Sequence, residues 1–582
     1  MFDSGRRTFA KNEATTWSLP NYWDIVALVL VLSVILLIGW AAAGMTTTRY
    51  EIGEVIPISL DPSALPYYSL RTVLRMLIGL VCSLLFTLTV GTLAAKSKRA
   101  EQVIIPLIDI LQSVPVLGFQ AIAVVPFIAL FPGSLLGPEC AAIFAIFTAQ
   151  VWNMTLSFYQ SCRTIPPELT EAVRMFRLSA WQRFWRMDVP HAMPGLIWNA
   201  MMSMSASWFF VVAAEAITVA DKNITLPGIG SYIAAALPKA NLHAVGYAIV
   251  AMFIVILAYD QLIFRPLSQW IERFRAEESD DGGTTQSWLV SLFEQTRLMQ
   301  KIGVGIGVFW DAFVNLSWFR LSSPKPAREH SASVRKLLLV TWTVLFYATL
   351  ASAALFLVWY VIEAVAWSEV VWVVGLGLIT AVRVMVLIFL SSLLWVPVGV
   401  WIGLRPRVTQ VIQPLIQFLA SFPAYLFFPV VVMVIVRYHL NPEVWTSPLM
   451  VLGTQWYILF NVIAGTIAIP KDLRQVAGNL QVRGWLWWRR LILPGIFPYF
   501  LTGAITAAGG AWNASIVAEV VTWGDTTIRA TGLGSYIAAH STHLDYPRLA
   551  LGIAVMCLLV VIINRIIWRP LYAMAERHYL IV

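Results

Sequence analysis

Four ionisable side chains stand in or beside long apolar runs, and they form two matched sets. Glu215 lies 304 residues before Glu519, and Arg75 lies 308 residues before Arg383. A carboxylate near membrane depth is costly and faces a cavity or a partner. Two roles suit Glu215 and Glu519: a gate or brace at the exit of a pore, or an interface carboxylate capped by backbone or a neighbouring hydroxyl. A bare carboxylate repels an anion, so pairing with a cation fits better than direct contact with an anionic solute. Arg75 and Arg383 either draw anions inward, pair with those glutamates, or simply snorkel to the interface, which is the plainer reading. Ser113-Val-Pro115 and Ser421-Phe-Pro423 form another matched pair. Proline removes a backbone donor and kinks a helix, freeing polar backbone that a cavity tolerates, although a simple packing kink serves as well.

Catalytic patterns are missing from the sequence. It has no Gly-x-x-x-x-Gly-Lys-Ser/Thr phosphate loop, so this chain does not cradle ATP phosphates by itself. It has no His-Glu-x-x-His and no Gly-x-Ser-x-Gly. His540 and His543 have a spacing that suits a metal, but beyond Asp545 no third ligand is evident, and surface histidines are the reading. Cys82, Cys140, Cys162 and Cys557 lie in or beside apolar runs and read as free packing thiols.

A second duplication is a basic loop. One copy runs through Leu169, Glu171, Ala172, Val173, Arg177, Trp181, Val189, Pro190 and Pro194. The other runs through Leu473, Gln475, Val476, Ala477, Gln481, Trp485, Leu493, Pro494 and Pro498, at a constant offset of 304. Each copy separates two long apolar segments, as a docking surface for a cytoplasmic partner would.

The elements that hold these residues are membrane helices. The 582 residues are 59% hydrophobic and 12% charged, and apolar runs reach the roughly 20 residues that a helical span requires. The 26 Trp suit interfacial anchoring, and the net charge of +9 belongs to cytoplasmic loops and not to nucleic-acid binding. Spans are expected near 23–44, 69–95, 103–131, 139–162, 193–220 and 244–266, then near 337–362, 376–404, 411–436, 445–468, 496–522 and 547–569. The run from Trp23 to Ala43 reads as a retained span and not as a signal peptide. The fold class is therefore an all-α membrane protein of two parallel repeats of six helices, about 12 in total.

The 304 offset extends to Trp208/Trp512, Gly228/Gly532, Gly230/Gly534 and Arg265/Arg569; upstream it becomes 308, as in Pro106/Pro414. Basic loops containing Lys96, Arg174, Arg183, Arg407 and Arg474 place both termini and both duplicated loops in the cytoplasm. Asp260 and Asn564 are expected to organise the cytoplasmic end of the sixth span. Residues 1–271 form the first repeat with its loop at 167–190, residues 336–582 the second with its loop at 471–494, and 272–335 a linker. Within that linker Ile302–Phe319 resembles a span by composition, but crossing there would invert the second repeat. An interfacial helix or a cytoplasmic packing segment is more consistent.

Glu171-Ala172-Val173, three residues, Arg177, nine residues and Met187-Asp188-Val189-Pro190 together resemble the EAA loop of binding-protein-dependent ABC importer permeases. In that family the pattern is Glu-Ala-Ala, three residues, Gly, nine residues, Ile-x-Leu-Pro. The glycine position is Arg177 and Gln481 here, and the second copy has Gln475-Val476 for Glu-Ala, so a tight glycine turn is not assured. WFFVVAAEAITVADKNITLPGIGSYI, starting at Trp208, is similar to the nitrate/sulfonate/bicarbonate-type anion branch. The resemblance implies a type I importer permease in a bacterial inner membrane. Two ATP-binding cassette subunits would dock at Glu171, Ala172, Arg177, Pro190, Gln475, Val476, Ala477 and Pro494. An external substrate-binding protein would deliver a small solute to a path or gate marked by Ser113, Pro115, Glu215, Ser421, Pro423, Glu519, Arg75 and Arg383. ATP and Mg would sit on the partners, with no cofactor on this chain. The rivals are a six-plus-six secondary transporter, which leaves the matched loops unexplained, and a membrane-embedded enzyme, which lacks a polar catalytic cluster.

Overall fold

A computed structural model describes residues 22–50, 56–112, 114–219, 222–271, 288–316, 332–523, 526–543 and 545–579. Ser113 and the acidic stretch 277–283 lie outside the described residues. Among the described residues nine helices are long and apolar enough to cross a membrane, or eleven if two bent pairs each form one span. In the first repeat these are Tyr22–Thr47, Pro62–Lys96, Leu136–Arg163, Ala180–Ala214 and Leu242–Leu267. In the second they are Val340–Ala364, Trp367–Gly403, Gly484–Ala518 and Tyr546–Ala575. The bent pairs are Pro406–Ser421 with Ala424–Arg437, and Pro442–Leu452 with Gln455–Ala468. Large apolar side chains such as Leu36, Leu85, Phe356, Phe389 and Leu558 stay exposed, which suits a surface solvated by lipid.

Both expected third spans are broken and not merely kinked. In the first repeat the helix Lys98–Leu111 stops and Val116–Leu130 begins directly after Pro115, which has extended backbone (φ −67°, ψ 117°). In the second, Phe422 and Pro423 are extended (ψ 124° and 107°) between Pro406–Ser421 and the short turn Ala424–Phe427. The residue before proline is pushed out of the α region and proline supplies no donor, so each helix restarts at the proline.

The expected fifth spans at 193–220 and 496–522 also need correction. The helices begin earlier and end at Ala214 and Ala518. The apolar residues that follow form antiparallel hairpins, Ala216–Val219 with Lys222–Thr225 and Val520–Trp523 with Thr526–Arg529. Ala-Ile-Thr-Val and Val-Val-Thr-Trp are rich in β-branched residues, which suit strands better than a last helical turn.

Proline also explains a repeated helix defect. π-helical turns occupy Phe184–Asp188, Trp488–Ile492, Asp260–Phe264 and Asn564–Trp568, at the 304 offset in both pairs. Pro190, Pro494, Pro266 and Pro570 each stand two residues beyond such a turn. A helical proline presses on the carbonyl four residues back. In each case that carbonyl belongs to the π turn, and the wider turn lets the helix continue. In the first of the sixth-span turns, Asp260 Oδ2 accepts from Arg265 Nε at 3.3 Å, tying the end of the span to its flanking cation.

The halves are interlocked. Val189–Ala214 packs on Pro406–Ser421, and Leu493–Ala518 packs on Val116–Leu130, so each fifth span lies against the broken third segment of the other half. Ser421 Oγ meets Ser205 Oγ at 2.8 Å, and Val116 N donates to Asn513 Oδ1 at 2.8 Å.

Candidate docking loops, solute path and carboxylate brace

Each duplicated loop opens with a short helix, Pro167–Met175 and Lys471–Asn479. Proline at or just before the first helical position favours the start. At the far end Leu178 N donates to Val173 O at 3.3 Å and Arg177 N to Arg174 O at 3.1 Å. In the second copy Val482 N donates to Ala477 O at 2.9 Å and Gln481 N to Gly478 O at 3.0 Å. These paired bonds form a Schellman cap, which requires a left-handed residue. Arg177 and Gln481 supply it, with φ of 49° and 50°. The tight turn thus persists without the glycine of the EAA pattern. Arg177→Gly and Gln481→Gly are each expected to raise stability by about 0.5–1 kcal/mol, because glycine adopts φ > 0 without the Cβ penalty. Thermal unfolding in detergent would show it, and a clear loss in both variants would contradict the cap.

The tips of these helices are bare. Met175 and Phe176 are 83% and 77% exposed, and Val476 and Leu480 are 51% and 70% exposed. Glu171 and Gln475 are also exposed, Ala172 is half-buried and Ala477 is buried. Pro190 and Pro494 lie elsewhere, half-buried inside the fifth helices beyond the π turns. Below the first loop Asp188 is buried and meets Lys96 Nζ at 2.7 Å, which anchors the start of that helix to the end of the second span. Ile492 occupies the equivalent place in the second half.

Arg75 is buried and does not snorkel, and neither matched carboxylate is among the residues that line the cavity described below. Arg75, Arg71, Glu139 and Glu215 are all buried, each at most 1% exposed. Arg75 Nη1 meets Glu215 Oε1 at 2.6 Å, and Arg75 Nε meets Glu139 Oε2 at 2.6 Å. Arg71 Nη2 also pairs with Glu139 Oε1. Two cations and two carboxylates balance, so burial leaves no net charge in the apolar interior. Thr72 Oγ1 and Gly230 N donate to Glu215 at 2.6 and 2.7 Å, and Ile229 N donates to Thr72 Oγ1 at 3.2 Å. Glu215 therefore caps the start of Ile229–Ala236, which suits an anion at a helix N-terminus. A Cβ on Gly228 would lie 2.3 Å from that carboxylate, which explains the glycine.

The second half repeats the brace with one cation fewer. Arg383 meets Glu519 at 3.1 Å and Glu443 at 2.9 Å. Thr380 Oγ1 and Ser535 N donate to Glu519, both at 2.9 Å. A Cβ on Gly532 would lie 2.2 Å from Glu519. Ile379 stands where Arg71 stands, and the uncompensated charge is at Glu443, 42% exposed and held by Thr531 N and Oγ1. Glu139 and Glu443 escaped the sequence reading. Their own 304 offset was the available signal.

A cavity of about 340 Å³ lies between the halves. Its lining includes Gln112, Val114 and Val116 around one break and Ala420, Phe422 and Ala424 around the other. Pro115, Ser421 and Pro423 are sequence neighbours of these residues and are not among the lining. Ser205, Phe209, Trp512 and Asn513 come from the fifth spans. No lining side chain among the described residues carries a charge. Thr454 lines the cavity, and its Oγ1 is buried without a hydrogen-bond partner among the described residues. Elsewhere, His540 Nδ1 lies 3.7 Å from Asp545. Burial pushes this imidazole below its ordinary pKa, with Asp545 acting the other way.

Comparison with known proteins adds the lineage. The chain matches the bicarbonate transport system permease protein CmpB of Synechococcus elongatus at 28% identity over 148 residues, 25% of this chain and 50% of that protein. It matches the nitrate import permease protein NrtB of Synechocystis at 25% over 189 residues, 32% and 64% of the two chains. It matches the taurine transport system permease protein TauC of Escherichia coli at 24% over 190 residues, 31% and 62% of the two chains. The chain thus spans between half and two thirds of the length of these relatives. The family of binding-protein-dependent transport system inner membrane components is matched twice, over residues 87–272 and 395–574. Each match holds one Schellman-capped loop, one carboxylate that caps a helix and one fifth span on the cavity, and the chain belongs to this family as two fused permease units.

Proposed function

We propose that this chain is the complete pore of an ABC importer for a small anion. The observation that carries the reading is the pair of capped loop helices, each presenting bare apolar tips on the basic side of its repeat. ATP-binding cassette subunits dock there, one per loop, and hold the ATP and Mg that this chain has no phosphate loop to bind. An external binding protein delivers solute to the opposite face. Both termini lie in the cytoplasm, as the basic loops require. The solute crosses between the halves, meeting neutral donors such as the Thr454 hydroxyl and the Trp and Asn side chains of the fifth spans. The names of the relatives support bicarbonate, nitrate or a sulfonate as the class. The carboxylates act as braces that fix the loop after the fifth span, and not as solute ligands.

Purification in mild detergent with mass spectrometry of retained chains tests the assembly. ATP-binding chains at two copies per permease are expected. A chain that purifies alone and exchanges anions without ATP would instead be a secondary transporter.

A further inference from the structure

The linker contains two described helices, Trp288–Gln295 and Arg297–Val314, and both pack against the first span, Tyr22–Thr47. The second helix then reaches the start of the fifth span. Phe313 stacks edge-on to Trp181 at 5.3 Å and Trp310 edge-on to Trp185 at 4.8 Å between ring centroids. Trp181 Nε1 donates to Phe313 O at 3.3 Å, and Gln182 Nε2 donates to Asn315 Oδ1 at 3.0 Å. Arg186 Nη2 donates to the same oxygen at 3.3 Å. The other repeat has no such cover among the described residues: Trp485 and Leu486 are 72% and 53% exposed, and Arg489 stands in place of Trp185.

Between its two ends this helix touches little. Residues 300–310 are all exposed. At 3.6 residues per turn Ile302, Ile306, Phe309 and Phe313 share one face, while Arg297, Lys301, Val304, Val308 and Asp311 lie opposite. The loop tryptophans take Phe313 and leave Ile302, Ile306 and Phe309 at 44%, 62% and 71% exposure. The first span, on which this helix packs, is itself bare and apolar, with Ile25, Val29 and Leu36 60%, 57% and 72% exposed. Its far end is held at the start of the fifth span, directly after the basic loop.

We propose that Arg297–Val314 is a membrane-surface helix that lies in the cytoplasmic leaflet and tethers the start of the first fifth span. Ile302, Ile306 and Phe309 sit among acyl chains, and Arg297 and Lys301 face anionic headgroups. The occupant is lipid because the helix packs on a lipid-facing span and its apolar face is flanked by cations. The leaflet assignment rests on the orientation proposed above; the tether does not. Its consequence is that one docking loop leads into a helix held to the bilayer surface while the other leads into one without such a tether among the described residues.

The test places a nitroxide at Ile306 or at Val308, in a chain whose four cysteines are replaced, in vesicles of phosphatidylethanolamine and phosphatidylglycerol. The label at 306 should collide preferentially with oxygen, and the label at 308 with a water-soluble nickel chelate. Equal access of the chelate to both sites would overturn lipid burial, and mid-bilayer depth at both would make the segment a span. Gln182→Cys with Asn315→Cys, oxidised in native membranes with the other cysteines kept, reads the tether separately. A disulfide is expected, and none forming would overturn the tether whatever the ATP-binding partners prove to be.

Discussion

Arg75→Ala is expected to deplete folded permease from the membrane, while Arg383→Ala leaves most of it in place. Removing Arg75 strands two carboxylates, Glu139 and Glu215, each fully buried, with only Arg71 left to meet one of them. Breaking a buried ion pair by deleting one partner costs about 3–5 kcal/mol, a large share of total stability. Arg75→Lys should rescue little, because one ammonium cannot serve both carboxylates as the guanidinium fork does. Removing Arg383 strands only Glu519, which keeps Thr380 and the Ser535 amide, since Glu443 is already 42% exposed to solvent. The expected cost there is about 1–3 kcal/mol. Membrane levels of a fluorescent fusion and thermal unfolding in detergent measure both, and equal losses from the two variants would contradict the asymmetry.

Placing charge at both loop tips, Phe176→Glu with Leu480→Glu, is expected to abolish ATP-driven transport without harming the permease. Phe176 and Leu480 are 77% and 70% exposed, so neither contributes much to the fold of this chain. In a docked complex each would enter an apolar contact, and an unpaired carboxylate there costs about 2–5 kcal/mol. A loss of about 3 kcal/mol at one site weakens docking roughly 100-fold. Retention of ATP-binding chains on the purified double variant reads this directly; undiminished retention, with the protein folded, would count against these tips as the docking surface.

Much of this was legible before any coordinates. Span length and the constant 304 offset depend on local composition and on duplication, so they survive in a single sequence. The loops, the paired glutamates and their arginines were found that way. The rest depends on contacts across the bundle. Glu139 reaches Arg75 from another helix 64 residues away, and an apolar run with an acid near its start gives no hint of that. The strands after Ala214 and Ala518 were hidden because apolar β-branched residues extend a hydropathy run equally well in either conformation. The left-handed Arg177 and Gln481 were unreadable for the opposite reason: the expected marker was glycine, and the cap here is fixed by backbone bonds at residues with a Cβ. The linker helix was visible as a span-like segment better suited to an interface or to packing, whereas its grip on Trp181 and Trp185 spans more than one hundred residues of chain.

The most direct test is the initial rate of solute uptake into proteoliposomes that hold this chain with its ATP-binding subunits, supplied outside with the binding protein and labelled bicarbonate, nitrate or taurine. ATP should be enclosed with the ATP-binding domains facing it, and matched vesicles should hold a non-hydrolysable analogue. Uptake against a gradient is expected only with hydrolysable ATP and binding protein, and it should vanish in the Phe176→Glu, Leu480→Glu variant. Accumulation of any of these solutes that proceeds equally with the analogue, or that the double variant retains in full, would contradict ATP coupling through the two loops.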